Sequence, residues 1–319
     1  MKSFKRPLRL FYWSMGVFIV LLNLVAFIHA YKFTHFSNAT VVRTRDPKEL
    51  SMSDKLVTLV FGIDNPRPTH RSKPNVPYST IKISQPDTIT CWQINVDNPR
   101  GVVILFHGYA GDKSQLLTRS KLFLDFGYNV LLVDFLGSGD SEGNTTSVGF
   151  REAVQVKACY DFVAKETQPI YLFGTSMGAA AIMKAMHDYS LKPEGVILEC
   201  PFGSLFKTVC ARFKNMGVPP FPMAGLLTFW GGVQHGYWAF SHNPERYAES
   251  IKCDALLLYG QRDDRVSLDE IKNIYANFGG YKMLKMYPAA GHDVFTSGNV
   301  NQWNRDVFNF LERRETPAN

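Results

Sequence analysis

The sequence predicts an α/β fold built on one mostly parallel, eight-stranded sheet with helices on both faces. Three observations predict it. Short, wholly apolar runs recur along the chain, as strands buried on both faces require. Stretches of helical periodicity lie between them. The alternation of the two implies a sheet covered on each side.

The elements follow in order. Ser79–Ser84 and residues 89–96 read as an antiparallel strand pair around the turn Gln85-Pro86-Asp87. Val102–Phe106 (VVILF) is the first fully apolar run, and runs 130–133, 170–173, 196–198 and 255–259 repeat the signal. Lys282–Tyr287 mixes lysines with apolar residues, as an edge strand does to resist pairing with other chains. Between strands, Phe150, Val154, Ala158 and Phe162 recur at helical spacing. Residues 177–187 are apolar almost all round, which predicts a buried helix. Residues 201–247 break the rhythm with prolines, glycines and many aromatics, among them Phe202, Phe229, Trp230 and Trp238. That interval is too long for an ordinary connection and reads as a lid inserted after the sixth strand, the alternative being a helical excursion that covers one sheet edge.

The N-terminus is of another kind. Residues 10–31 hold no ionisable side chain except His29, and a helix of that length rises roughly 33 Å, enough to span a bilayer core. Phe11, Tyr12, Trp13 and Tyr31 stand near its ends as interfacial aromatics do. The run exceeds the apolar core of a signal peptide, and Ile28 spoils an A-x-A site ending at Ala30, so a retained anchor is expected. Lys2, Lys5, Arg6 and Arg9 precede it and favour a cytoplasmic N-terminus with the body on the non-cytoplasmic side. Lys32, Arg43, Arg45 and Lys48 follow closely and oppose that orientation. The division expected is an anchor at 1–33, a polar, proline-bearing linker at 34–77 and a catalytic domain at 78–319.

Charge excludes one class of partner. The first 48 residues hold eight Lys/Arg against one Asp and account for the net charge of +7. The remainder carries 27 basic and 27 acidic residues, so no basic surface for nucleic acid is expected. The five cysteines form no C-x-x-C pair, and no histidine pair stands at metal-ligand spacing, so no metal and no cofactor is expected.

Chemistry concentrates at strand ends. Gly174-Thr175-Ser176-Met177-Gly178 is G-x-S-x-G directly after an apolar run and before a helix, the context of a nucleophile elbow. A serine hydroxyl needs a base to take its proton. His292, in a Gly291-His292 loop past the last strand, is the candidate. The imidazole needs an orienting carboxylate. Asp263, three residues past Gly260, fills that role, with Asp264 as the alternative. The backbone amides of Tyr109 and Met177 are the expected oxyanion donors, Tyr109 lying in the His107-Gly108-Tyr109-Ala110-Gly111 loop. His107 itself reads as a buried residue that shapes this loop. Gly137, Gly139 and Gly143 have the wrong spacing for a dinucleotide fingerprint and read as a tight turn. Glu199 reads as a structural carboxylate.

Taken together, His107-Gly108-x-x-Gly111, Asp134-x-x-Gly137-x-Gly139-x-Ser141, Gly174-x-Ser176-x-Gly178, Gly260-x-x-Asp263-x-x-Val266 and Gly291-His292 resemble the α/β-hydrolase superfamily. Within it the chain is similar to single-pass, membrane-anchored serine hydrolases of the serine aminopeptidase-like and prolyl-oligopeptidase-like group. The resemblance covers roughly residues 78–312. It implies serine hydrolase chemistry without a cofactor. The aromatic composition of the lid, beside a membrane anchor, points to a small-molecule or lipid-like acyl substrate. An ester or thioester is the expected bond; peptidase, acyltransferase and non-catalytic binding protein are the rivals.

Overall fold

A computed structural model of the chain describes residues 5–38, 41–44, 50–84, 87–166, 168–295 and 299–313. The turn residues Gln85 and Pro86 and the basic residues Lys2, Arg45 and Lys48 lie outside them. In chain order the elements are α1 (Lys5–Thr34), α2 (Met52–Phe61), β1 (Ser79–Ser84), β2 (Thr88–Ile94), β3 (Val102–Phe106), α3 (Leu117–Asp125), β4 (Asn129–Val133), α4 (Glu152–Val163), β5 (Ile170–Thr175), α5 (Met177–Tyr189), β6 (Gly195–Glu199), α6 (Leu205–Asn215), α7 (Met223–His235), α8 (Pro244–Tyr247), β7 (Asp254–Gly260), α9 (Leu268–Asn277), β8 (Lys282–Tyr287) and α10 (Val300–Glu312).

The eight strands form one sheet in the order β1-β2-β4-β3-β5-β6-β7-β8. The β1–β2 and β2–β4 pairs are antiparallel, and every later pair is parallel. Burial tracks position in the sheet. Every residue of β3, β4 and β6 is buried, whereas edge strands β1 and β8 bury one residue each. On one face α3 and α10 meet through Phe123 and Trp303, whose ring centroids are 5.9 Å apart, and Trp303 also meets Phe173 of β5. Helices α4 and α5 pack on the other face, and α5 is buried from Met177 to Met186, as its unbroken apolar composition requires.

The proline-bearing stretch before β1 contains α2 and is tied to the body. Ser37 bridges to Pro66, and the Arg67 guanidinium donates to the carbonyls of Gly139, Ser141 and Gly143. These contacts are irregular backbone and polar side chains, which leave no periodic trace in a sequence. Helix α1 is long and apolar enough from Leu8 to Thr34 to cross a membrane, with a mean hydropathy of 2.1. Most of its surface is exposed, unlike that of a core helix of similar composition such as α5. All five cysteines are free thiols.

Candidate active site

Strand β5 ends at Thr175 and α5 starts at Met177, so Ser176 alone makes the turn between them. It does so at φ 49°, a left-handed conformation costly for a residue with a Cβ. The turn is held from both sides: the Ser176 N–H donates to the Glu199 carbonyl at 2.7 Å, and its own carbonyl accepts from Ala180 N–H at 3.0 Å. Its neighbours must lack side chains. A Cβ on Gly174 would stand 2.6 Å from the Ala179 nitrogen, and one on Gly178 would collide with the Phe106 carbonyl.

Opposite the serine, the loop after β8 places His292 Nε2 at 2.8 Å from Ser176 Oγ. Its Nδ1 lies 2.7 Å from Asp263 Oδ2, and the Asp263 side chain is fully buried. The other Asp263 oxygen accepts from the backbone N–H groups of Arg265 and Val266 at 2.8 and 3.1 Å. A carboxylate only accepts, so Nδ1 carries the imidazole proton and Nε2 presents its lone pair to the serine hydroxyl. Thus Ser176, His292 and Asp263 are joined in one relay, and it is Asp263, not Asp264, that meets the imidazole. Tyr109 and Met177 both line the cavity, about 550 Å³, into which Ser176 and His292 open.

Buried polar groups brace the loop after β3 and the turn beside it. His107 is fully buried, accepts from Phe135 N–H at Nε2 and donates from Nδ1 to the Gly108 carbonyl. Burial pushes its pKa below the ordinary value, with Asp134 acting in the opposite sense, so it stays the neutral brace of its loop. Asp134 loses to burial but gains more from His70 and Lys113, which hold its carboxyl well below the usual range. It also accepts from the Lys113 and Asp140 backbone at 2.8 and 3.0 Å, closing the glycine-bearing turn that carries no nucleotide fingerprint.

The sequence assigns no role to three residues of this surround. Arg119 of α3 donates to both oxygens of buried Glu199, at 3.2 and 2.6 Å, and to Asp293, beside His292, at 2.9 Å. Cys200, at φ 47°, is buried behind Asp263, and burial together with the Asp263 and Glu199 charges raises its thiol pKa. Phe33, from the end of α1, stacks on Tyr109 with centroids 4.5 Å apart and accepts from the Tyr109 hydroxyl at 2.6 Å. Among the described residues, two groups bring three ligand-type atoms together, His70/Asp112/Asp134 and Cys200/Asp263/His292. In the first, Lys113 Nζ already bonds Asp134; in the second, the imidazole and carboxylate bond each other.

Solved structures share this fold. A Pyrococcus furiosus esterase, Pf2001, superposes with a TM-score of 0.64 at 23% identity, over 78% of this chain and 98% of that one. An esterase from Exiguobacterium antarcticum superposes at 0.56 and 16% identity, over 73% and 99%. This is the α/β-hydrolase fold. Residues 97–227 match the family model described as serine aminopeptidase, S33. Among proteins similar in sequence are the uncharacterized protein YqkD of Bacillus subtilis, 27% identical over 68% of this chain and 72% of its own length, and the lysophosphatidylserine lipase ABHD12 of Danio rerio, 24% identical over 63% of this chain. The chain spans 53% of that lipase's length. The fold and the family match support a place in the α/β-hydrolase superfamily and a hydrolytic activity.

Proposed function

We propose that the protein is a membrane-anchored serine hydrolase that cleaves a carboxylic ester or thioester of an apolar acyl group, with Ser176 as nucleophile, His292 as base and Asp263 as its orienting carboxylate. The observation that carries the reading is the continuous relay from Asp263 through His292 to Ser176 at hydrogen-bond distances. His292 Nε2 takes the hydroxyl proton as Oγ bonds to the acyl carbon. The oxyanion is held by the backbone amides of Tyr109 and Met177. The bond to the leaving alcohol or thiol then breaks, and His292 returns the proton to it. A water repeats the sequence on the acyl-enzyme and releases the acid.

Three features favour a lipid-like substrate. The segment 201–247, the proposed lid, is rich in aromatics; α1 is a candidate membrane span; and several relatives carry the name lysophosphatidylserine lipase. The basic N-terminal flank supports a single pass with the domain at 78–319 on the non-cytoplasmic side, joined through 34–77 to the anchor at 1–33. A peptidase that reads a free amino terminus needs a carboxylate for it. Glu199 and Asp293, on the cavity wall, are both committed to Arg119, so the ester reading is preferred.

The test is hydrolysis of a monoacyl ester by the full chain in nanodiscs. Ser176→Ala removes activity, and Asp263→Asn lowers kcat by up to about 10⁴-fold by leaving the imidazole in the wrong tautomer. Hydrolysis that persists in Ser176→Ala overturns the reading.

A further inference from the structure

A second cavity, of about 580 Å³, adjoins the one at the triad. Phe33, Tyr109, Val148, Leu205, Val209 and Arg212 line both. Its far walls come from outside the sheet and its core helices. The last turns of α1 and the end of α2 supply His29, Ala30 and Leu59, and the lid helices α6 and α7 supply Phe213, Leu227 and Gly231. We propose that this cavity holds the acyl chain of a single-chain membrane lipid ester and is loaded sideways from the bilayer, so that the end of the anchor helix is a wall of the substrate site. The proposal rests on the ester-hydrolase reading of Ser176 and extends it to the anchor.

The anchor is fitted to the lid far more closely than a tether requires. Asn23, in the middle of an apolar helix, accepts from Trp230 Nε1 at 3.1 Å; a buried or lipid-facing amide without such a partner is costly. Gln234 Nε2 donates to the Phe27 carbonyl at 2.9 Å, and Phe27 meets the Trp230 ring edge-on with centroids 5.4 Å apart. At the lower end, Phe33 stacks on Tyr109 while the Arg212 guanidinium lies over the Phe33 ring, 4.6 Å from its centroid. The anchor is thereby pinned to the loop after β3, at the seam between the two cavities.

The surroundings identify the source of the ligand. Helix α2 exposes Leu56, Val57, Val60 and Phe61, and α7 exposes Phe229 and Val233. Both lie against α1, with α2 further tied through the Lys32–Asp64 ion pair at 3.3 Å. Apolar surface of this extent is rare on a protein surrounded by water. A leaflet pierced by α1 covers it. The cavity volume falls within the roughly 300–1,000 Å³ of small-ligand sites.

Two glycines of the same helix give a clean test. A Cβ at either Gly231 or Gly225 meets nothing within 4 Å, but only Gly231 lines the cavity. Both changes to phenylalanine remove a helix-interior glycine, so neither is expected to weaken the helix. In nanodiscs, Gly231→Phe lowers kcat/KM on a palmitoyl ester about tenfold or more, with a butyryl ester changed by no more than about twofold, and Gly225→Phe leaves both unchanged. In parallel, pyrene-labelled palmitate is titrated onto the Ser176→Ala chain. It binds, and adding Gly231→Phe weakens it about tenfold, whereas adding Gly225→Phe does not. Ser176-dependent hydrolysis indifferent to Gly231, or palmitate binding equal in the two glycine variants, overturns the acyl site while leaving the triad standing. Gly231-sensitive binding with no ester hydrolysis by the wild-type chain supports the site and overturns the ester reading.

Discussion

Replacing Arg119 with methionine tests how the site is supported. The Arg119 and Glu199 side chains are 7% and 2% exposed, so their ion pair is sealed from water. Glu199 accepts from the guanidinium at 2.6 and 3.2 Å and from Trp303 Nε1 at 3.4 Å; the guanidinium also lies 4.6 Å from the Phe295 ring centroid. Arg119→Met keeps much of the packing volume but leaves Glu199 buried without its cation, a loss of about 3–5 kcal/mol. With a urea slope of roughly 2–3 kcal/mol/M, the unfolding midpoint falls by about 1–2.5 M. The Asp293 contact goes too, which frees the loop carrying His292, so labelling of Ser176 by a serine-reactive probe slows. The double variant Arg119→Met/Glu199→Met removes the stranded charge and recovers most of the stability, to within about 1 kcal/mol of wild type, but not the labelling rate. A single variant that loses less than about 1 kcal/mol, or a double variant as unstable as the single, refutes the reasoning.

Two further outcomes follow from the same structure. Gly139 sits at φ 50°, and a Cβ there would overlap the Asp134 carboxylate, so Gly139→Ala lowers stability by more than about 2 kcal/mol. Gly217, at φ 73° with open space around it, loses only about 1 kcal/mol on the same change, and urea midpoints separate the two. His242 is fully buried, its Nε2 donates to the Val148 carbonyl at 3.0 Å and its Nδ1 lies 3.4 Å from the Tyr247 hydroxyl, and burial drops its pKa from 6.5 to about 3. Unfolded chains therefore bind a proton below pH 6.5 that the native state refuses, and stability falls as pH drops from 6.5 toward 3, by up to about 1.4 kcal/mol per unit. His242→Gln makes the slope between pH 6.5 and 5 shallower by up to about 1.4 kcal/mol per unit, leaving the part due to buried His107; an unchanged slope contradicts the assignment.

What the sequence made legible has a common physical origin. Strands β3 to β7 are covered on both faces, so each leaves an unbroken apolar run, and β8 shows its edge position through Lys282 and Lys285. Ser176, Asp263 and His292 each follow a strand; His107 does so too, after β3, but only His292 completes the chain order serine, aspartate, histidine. Pairings between distant residues left no comparable signal. Arg119 and Glu199 are 80 positions apart, His70 and Asp134 are 64, and Asn23 and Trp230 are 207. Neither partner in such a pair has a periodicity or motif that points to the other. The contact between α1 and α7 was illegible for the same reason: an apolar helix that faces lipid and one that faces other helices have the same composition.

The central claim is an activated serine at position 176, and the most direct measurement is mass spectrometry of the full chain after treatment with a fluorophosphonate. A single phosphonyl adduct on the peptide holding Ser176, lost in Ser176→Ala and much slower to form in His292→Ala, is the predicted result. An unmodified Ser176 in folded protein whose cavity is open to the probe, or labelling that is indifferent to His292, contradicts the account.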